Sequence, residues 1–237
     1  MDKLDKAVII MKKELMSYFT TPIAYIVISV FLVVTGWFFF GTFFLFNQAE
    51  MREFFKLLPV IFAFAIPAVS MRLFSEEKNT GSFEILMTLP VTVYDAVLGK
   101  LMACTVFIAV MLAPTLAYSV SAWIVGSPDY GPVIGGYFGS ILLGMAFSSI
   151  GILSSSMTKN QIISFIIGLA ICLTLTLIDK FLFFMPDAVL GVVEYFGADY
   201  HFRNIAKGVI DSRDIIYFFS VTAISVIGTA RILEERR

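Results

Sequence analysis

Histidine occurs once in the 237 residues, at His201, and cysteine twice, at Cys104 and Cys172. No G-x-S-x-G turn accompanies that one imidazole, so a Ser-His-Asp site is not expected and His201 reads as an interfacial side chain. Both cysteines lie inside apolar runs, where a thiol behaves as a small hydrophobe, and neither has the neighbours that a disulfide framework or metal site needs. No GxxxxGK[ST] phosphate loop is present, which removes that cradle for ATP. Charge is scarce as well. Only 15% of residues are charged and 59% are hydrophobic, against roughly 25% and 45–50% in soluble domains. A net charge of −1 gives no basic field for nucleic acid, so that partner class is not expected.

Long apolar runs are what the sequence has in quantity. A bilayer core takes about 20 mainly apolar residues per helix, and six stretches qualify, at 23–46, 55–71, 97–125, 133–157, 162–184 and 215–233. Pro59 and Pro67 interrupt the second and Pro114 the third, so kinks are expected there. The charges of both signs before the first run, and its length, argue against a cleavable leader. Almost no ionisable residue is expected inside the spans. Asp179 and Lys180 fall at the outer end of the fifth, where they are placed to pair locally, and this argues against a proton- or sodium-coupled carrier. Ser119, Ser121, Ser154, Ser155 and Ser156 are expected to bond locally to the backbone. Gly136, Ser140, Gly144 and Ser148 form a small-residue row on the fourth span that admits a closely packed helix, from the same chain or a second one.

Lys and Arg set the orientation. With the N-terminus inside, Lys3, Lys6, Lys12, Lys13, Arg72, Lys78, Lys100, Lys159, Arg231, Arg236 and Arg237 fall on the cytoplasmic side. Arg52, Lys56, Lys180, Arg203, Lys207 and Arg213 fall outside. The excess orients both termini inward, and the aromatics from Trp37 to Phe46 then crowd the outer interface.

Three segments do not span. Residues 2–19 place Leu4, Val8, Met11, Leu15 and Tyr18 on one helical face, which predicts an interfacial helix on the inner leaflet. Residues 72–95 form a cytoplasmic connection that turns apolar at Phe83, Ile85, Leu86, Met87 and Leu89, either a docking surface or a linker resting on the membrane. There Gly81 suits a turn, Ser82 is placed to cap a short helix, Glu84 falls in its first turn, and Phe83, Leu86, Met87 and Pro90 would form a projecting apolar tip. Residues 179–214 exceed an ordinary connection. Within them Ala188, Val189, Val192, Val193 and Phe196, then Phe202, Ile205, Ala206, Val209 and Ile210, predict two short helices dipping into the outer leaflet or forming a cap on the span ends.

The run SEEKNTGSFEILMTLPVTVYDAVLGKLMA, residues 75–103, resembles the cytoplasmic segment of ABC-2 type permeases. Glu76, Glu77, Gly81, Ser82, Glu84, Leu86, Leu89, Pro90, Val91, Gly99 and Lys100 match its E-E-x-x-x-G-[ST]-x-E-x-L-x-x-[LS]-P-[VI] pattern and the G-K that follows. KKELMSYFTTPIAYIV, with Lys12, Lys13, Glu14 and Tyr18, is similar to the run before that family's first span. FRNIAKGVIDSRDIIYFFSV looks like the run before the last span in the branch that includes gliding-motility-associated permeases. The resemblance implies an all-α six-span bundle in a bacterial cytoplasmic membrane, with an N-terminal elbow helix, a coupling helix between the second and third spans, and outer re-entrant helices. It also implies that Glu76, Glu77, Gly81, Ser82, Phe83, Glu84, Leu86, Met87, Leu89 and Pro90 dock an ATPase. Two ATPase subunits per complex would bind the ATP and Mg, leaving no cofactor in this chain. A second permease copy or a paralogous permease is implied, and an auxiliary subunit with an extracytoplasmic domain often accompanies the gliding branch. The expected function is an export permease. A membrane mechanotransmitter driven by ATPase strokes and, less favoured, a secondary carrier are the alternatives.

Overall fold

Backbone amides and carbonyls inside a bilayer must find partners within the protein, and helices satisfy them along a single segment. The computed structural model describes residues 3–46, 51–126, 129–180 and 194–235, and their regular structure is entirely helical. Helix α1 is Lys3–Thr20, α2 Pro22–Phe46, α3 Arg52–Ser70, α4 Arg72–Thr80, α5 Ser82–Thr88 and α6 Val93–Leu112. A 3-10 turn, Ala113–Thr115, then leads into α7, Leu116–Val125. The remainder is α8, Tyr130–Met157; α9, Gln161–Leu177; α10, Ala198–Ala206; and α11, Ser212–Glu234. Six stretches are long and apolar enough to cross a membrane: Pro22–Gly41, Arg52–Thr80, Val93–Ile124, Tyr130–Met157, Gln161–Lys180 and Ser212–Glu234. The bundle is the six-helix one that the hydropathy pattern requires.

Local chemistry moves several boundaries. Helix α6 begins four residues before the apolar run because Thr92 and Asp95 form a capping box: Asp95 N–H donates to Thr92 Oγ1 at 3.2 Å, and Thr92 N–H donates to Asp95 Oδ2 at 2.9 Å. Pro114 sits in the 3-10 turn that divides the third span, where Thr115 Oγ1 donates to the Leu112 carbonyl at 2.7 Å. Pro59 and Pro67 both lie inside α3 without ending it. Of the two outer helices expected, residues 188, 189, 192 and 193 of the first lie outside the described residues. The second is α10, and it stops sooner than its apolar spacing suggests. Gly208, at φ +86°, turns the chain, which leaves Val209 and Ile210 exposed beyond the helix.

Helix α8 is the axis of the fold, packed against α3, α4, α6, α9, α10 and α11. Its small residues are the reason so many neighbours fit. A Cβ on Gly136 would lie 2.3 Å from the Phe55 ring of α3, and one on Gly144 would lie 3.0 Å from Ile108 of α6. Ser140 and Ser148 are fully buried in the same row. The row therefore meets helices of its own chain. Gly136→Val forces Phe55 out of a buried site, overpacking of a kind that costs about 1–3 kcal/mol. The purified chain should lose several degrees of apparent melting temperature in detergent; an unchanged value would show that Phe55 moves aside freely.

Candidate functional site

Gly99 and Lys100 lie where α1 crosses α6. A Cβ at Gly99 would come within 2.7 Å of the Ala7 carbonyl oxygen and 2.8 Å of Ile10 Cβ, so α1 rests directly on the glycine. The next side chain, Lys100, is 0% exposed. Its Nζ donates to Glu14 Oε1 of α1 at 3.1 Å, to Glu77 Oε1 of α4 at 2.8 Å and to the Leu73 carbonyl at 2.8 Å. An ammonium has three donors, and these partners take all three. The Phe74 ring lies beneath, its centroid 4.9 Å from Nζ. Lys13 stands at the rim, 3.4 Å from Glu14 Oε1 and 3.6 Å from Glu77 Oε1. Partial burial works against the Lys13 charge, but the Glu14 and Glu77 carboxylates outweigh it and hold its pKa above the ordinary value. Two carboxylates and two ammoniums thus balance across three helices.

Helix α1 makes further contacts on either side of this junction. Lys6 Nζ donates to the Pro90 carbonyl, and the Arg72 guanidinium lies 4.9 Å from the centre of the Tyr18 ring. The Tyr18 hydroxyl is within 3.4 Å of the Val69 carbonyl and 3.5 Å of Cys104 Sγ, and burial pushes its phenol well above the usual range. The buried face of α1 is Ala7, Ile10, Glu14 and Tyr18, while Val8, Met11 and Leu15 are only half-buried. This corrects the expected face of Leu4, Val8, Met11, Leu15 and Tyr18, from which only Tyr18 is fully buried among the described side chains, because Glu14 turns inward to Lys100. It also corrects the expectation of spans nearly free of charge, since Lys100 is embedded in the third. Lys12 is exposed.

Bonds from α8 brace the chain where α3 passes into α4 through Met71, whose backbone stays helical. Ser155 Oγ of α8 accepts from the Phe74 and Ser75 amides at 2.8 and 3.0 Å and donates to the Met71 carbonyl at 2.9 Å. Ser155 thus serves the first turn of α4 from another helix, where only local backbone bonding was expected of it. Lys78 Nζ reaches the Ser156 carbonyl at the C-terminal end of α8, a favourable end for a cation. Gly81, at φ +75° with open space around its missing side chain, ends α4. Ser82 does not cap α5. Its Oγ lies 2.8 Å from Thr80 Oγ1 and donates to the Glu77 carbonyl at 3.4 Å, closing α4 instead.

The apolar tip differs in membership from the expected one. Phe83 is 8% exposed and packs edge-on to Phe74, and Met87 packs against the core, so neither projects. Leu86 is half-buried and Glu77 faces the junction, whereas Glu76, Glu84 and Pro90 are exposed. The outward apolar side chains are Ile85, 68% exposed, and Leu89, 53% exposed. Ile85 was visible in the apolar run but matched no motif position. Beside α5 is a groove of about 560 Å3 whose lining includes Phe83, Met87 and Thr88 with the charged Lys78, Glu84 and Lys159.

At the opposite end of the bundle His201 is fully buried rather than interfacial. Its Nδ1 is 2.6 Å from Asp214 Oδ1 and its Nε2 is 2.9 Å from the Tyr195 carbonyl oxygen, so both nitrogens face acceptors and neither faces a hydroxyl. Asp179 and Lys180 do approach each other, at 3.6 Å, within a larger cluster: Arg203 also binds Asp179, and Lys180 donates to Asp199 at 3.0 Å. Among the described residues no group of three or more His, Cys, Asp and Glu is placed to hold a metal ion.

Lys100→Met leaves Glu14 and Glu77 with only the rim cation Lys13 between them, and removing one partner of a buried ion pair typically costs about 3–5 kcal/mol. Its melting temperature should fall clearly, and the triple variant Glu14→Gln, Glu77→Gln, Lys100→Met should recover much of the loss. A triple variant no better than Lys100→Met would show that packing, not charge balance, governs the junction.

The sequence has no match among curated proteins. A family model described as ABC-2 family transporter protein matches residues 8–199. That stretch contains Glu14, Glu77 and Lys100, the whole of α4 and α5, and five of the six candidate spans from at least their main part. Members are membrane transport subunits of ABC transporters, in which separate subunits are the ATPases. With six apolar helices and a buried junction beneath a projecting helical tip, the chain belongs to the ABC-2 transporter family, as a multi-pass permease subunit.

Proposed function

We propose that the chain is an export permease whose α5 tip docks on the ATPase subunits and whose Lys100 junction passes their motion to the bundle. The observation that carries this reading is the placement of exposed Ile85 on α5, and of exposed Leu89 just past its end, on a segment joined through α4 to Glu77 and hence to Lys100. An exposed apolar patch beside charged Glu84 suits a partner protein. Two ATPase subunits, which bind ATP and Mg, complete the complex with a second copy of this chain or a paralogous permease. Closure of the ATPase pair shifts the population between inward-closed and outward-open arrangements. The charge distribution supports a cytoplasmic location for both termini and for 72–95, with 47–54 and 185–213 facing outward, in a bacterial cytoplasmic membrane. The runs around 12–27 and 202–221 favour the branch that includes gliding-motility-associated permeases, where an auxiliary extracytoplasmic subunit fits.

Ile85→Asp tests the docking surface without removing a buried contact. Loss of an apolar interface anchor commonly costs 2 kcal/mol or more, so recovery of ATPase with the tagged permease should fall by roughly thirtyfold. Parent-level recovery together with substrate-stimulated hydrolysis would refute docking through this tip. For orientation, a membrane-impermeant maleimide should leave Ser82→Cys unlabelled in intact cells and label it in inverted vesicles; the reverse pattern would turn the whole assignment over.

A further inference from the structure

The groove of about 560 Å3 beside α5 has two walls. One is α5 with the end of α4; the other is the turn 158–160 between α8 and α9, which contributes Lys159. Glu84 and Thr88, four residues apart on α5 and both exposed, line the groove. Ile85, the residue after Glu84, is the 68% exposed apolar side chain of the tip, so tip and groove are one continuous surface. Met87 is half-buried and offers apolar surface to an occupant, whereas Phe83, 8% exposed, offers almost none.

The turn that bears Lys159 is closed by its own side chains. Thr158 Oγ1 accepts from the Asn160 amide at 3.1 Å, and Asn160 Oδ1 accepts from the Ile162 amide at 2.9 Å, capping α9. Lys159 is exposed between them and is the one charged residue of the turn. Lys78 is half-buried and its Nζ reaches the Ser156 carbonyl, so Lys159 is the more accessible of the two cations. A specific protein contact covers about 800 Å2 on each partner, roughly 20–30 residues. Two side chains, Ile85 and Leu89, fall far short of that, so an ATPase seated on them also covers adjoining surface. The groove adjoins them through Glu84. Glu84 on one wall and Lys159 on the other are opposite charges, which fix the register of a partner that answers both.

We infer that the ATPase footprint extends from the α5 tip across this groove to Lys159, and that the ATPase segment seated there brings a carboxylate to the Lys159 ammonium. The inference rests on the docking reading above and adds a second contact to it. Force applied at Lys159 would enter α8 and α9 directly, without passing through α4 and the Lys100 junction.

Photo-cross-linking in the assembled complex separates this inference from the reading beneath it. The photoreactive p-benzoylphenylalanine would replace Ile85 in one tagged permease and Lys159 in another, with exposed Ile134, near the other end of α8, as the control. Irradiation should link the ATPase to positions 85 and 159 and not to 134. Linkage at 85 without linkage at 159 would confine the footprint to the tip and overturn this inference while docking stands. Linkage at neither position, with complexes still recovered, would overturn docking itself. The carboxylate is tested by charge reversal. Lys159→Glu should keep the parent melting temperature, because the side chain is exposed, while recovery of ATPase falls roughly tenfold and is partly restored by added salt, which screens the new like-charge contact. Lys159→Arg should recover ATPase as the parent does. Parent-level recovery by Lys159→Glu would overturn the acidic partner.

Discussion

An ammonium group cut off from water must keep counter-charges within reach, and at Lys100 those charges come from two helices other than its own. That requirement orders the cytoplasm-proximal half of the proposed topology. Glu14 can reach Lys100 only if α1 lies flat on α6, and α1 lies flat only because residue 99 has no side chain. Glu77 reaches it from α4, whose first turn Ser155 holds against α8. A buried ion pair is a weak contributor to net stability but a demanding one in geometry. Its value here is registration: the amphipathic N-terminal helix, the connection bearing the exposed tip and the third span all meet at one side chain, with Lys6, Lys13 and the Arg72–Tyr18 contact adding links around it.

Helix α8 gives the junction something rigid to act on. Small residues along several of its faces bring α3, α6 and α10 into close contact, and Ser155 and the Ser156 carbonyl connect its far end to α4. Under the proposed function, a displacement of α5 would have two routes through α4, to α6 and α1 through Lys100 and to the axis of the bundle through Ser155. Close-packed interiors transmit such displacements rather than absorbing them. Helices α2, α9 and α11 have less of their surface buried, which leaves broad apolar faces for lipid or another subunit.

Much of this was legible from the sequence, and the misses have physical causes. Hydropathy located six spans because a hydrocarbon core imposes both length and composition. It misplaced the start of α6, since Thr92 and Asp95 are polar and the capping box they form belongs to the helix all the same. The face of α1 was missed because an apolar-stripe reading discards Glu14, whose partner lies 86 residues away in sequence. Similarity to the G-K motif marked Gly99 and Lys100 as a pair without giving the reason, which is a close crossing followed by an ion pair. His201 was judged by its loop setting, although Asp214 and the Tyr195 carbonyl make a buried imidazole tolerable. Ser155 shows the same limit, for a hydroxyl that usually bonds within its own helix here serves another.

Hydrogen–deuterium exchange on the Lys100→Met chain tests most directly whether one side chain registers three helices. The account predicts faster exchange in the amides of both α1 and α4, the helices that carry Glu14 and Glu77, with α9 and α11 unchanged. Faster exchange confined to α6, with α1 and α4 as protected as in the parent, would contradict it.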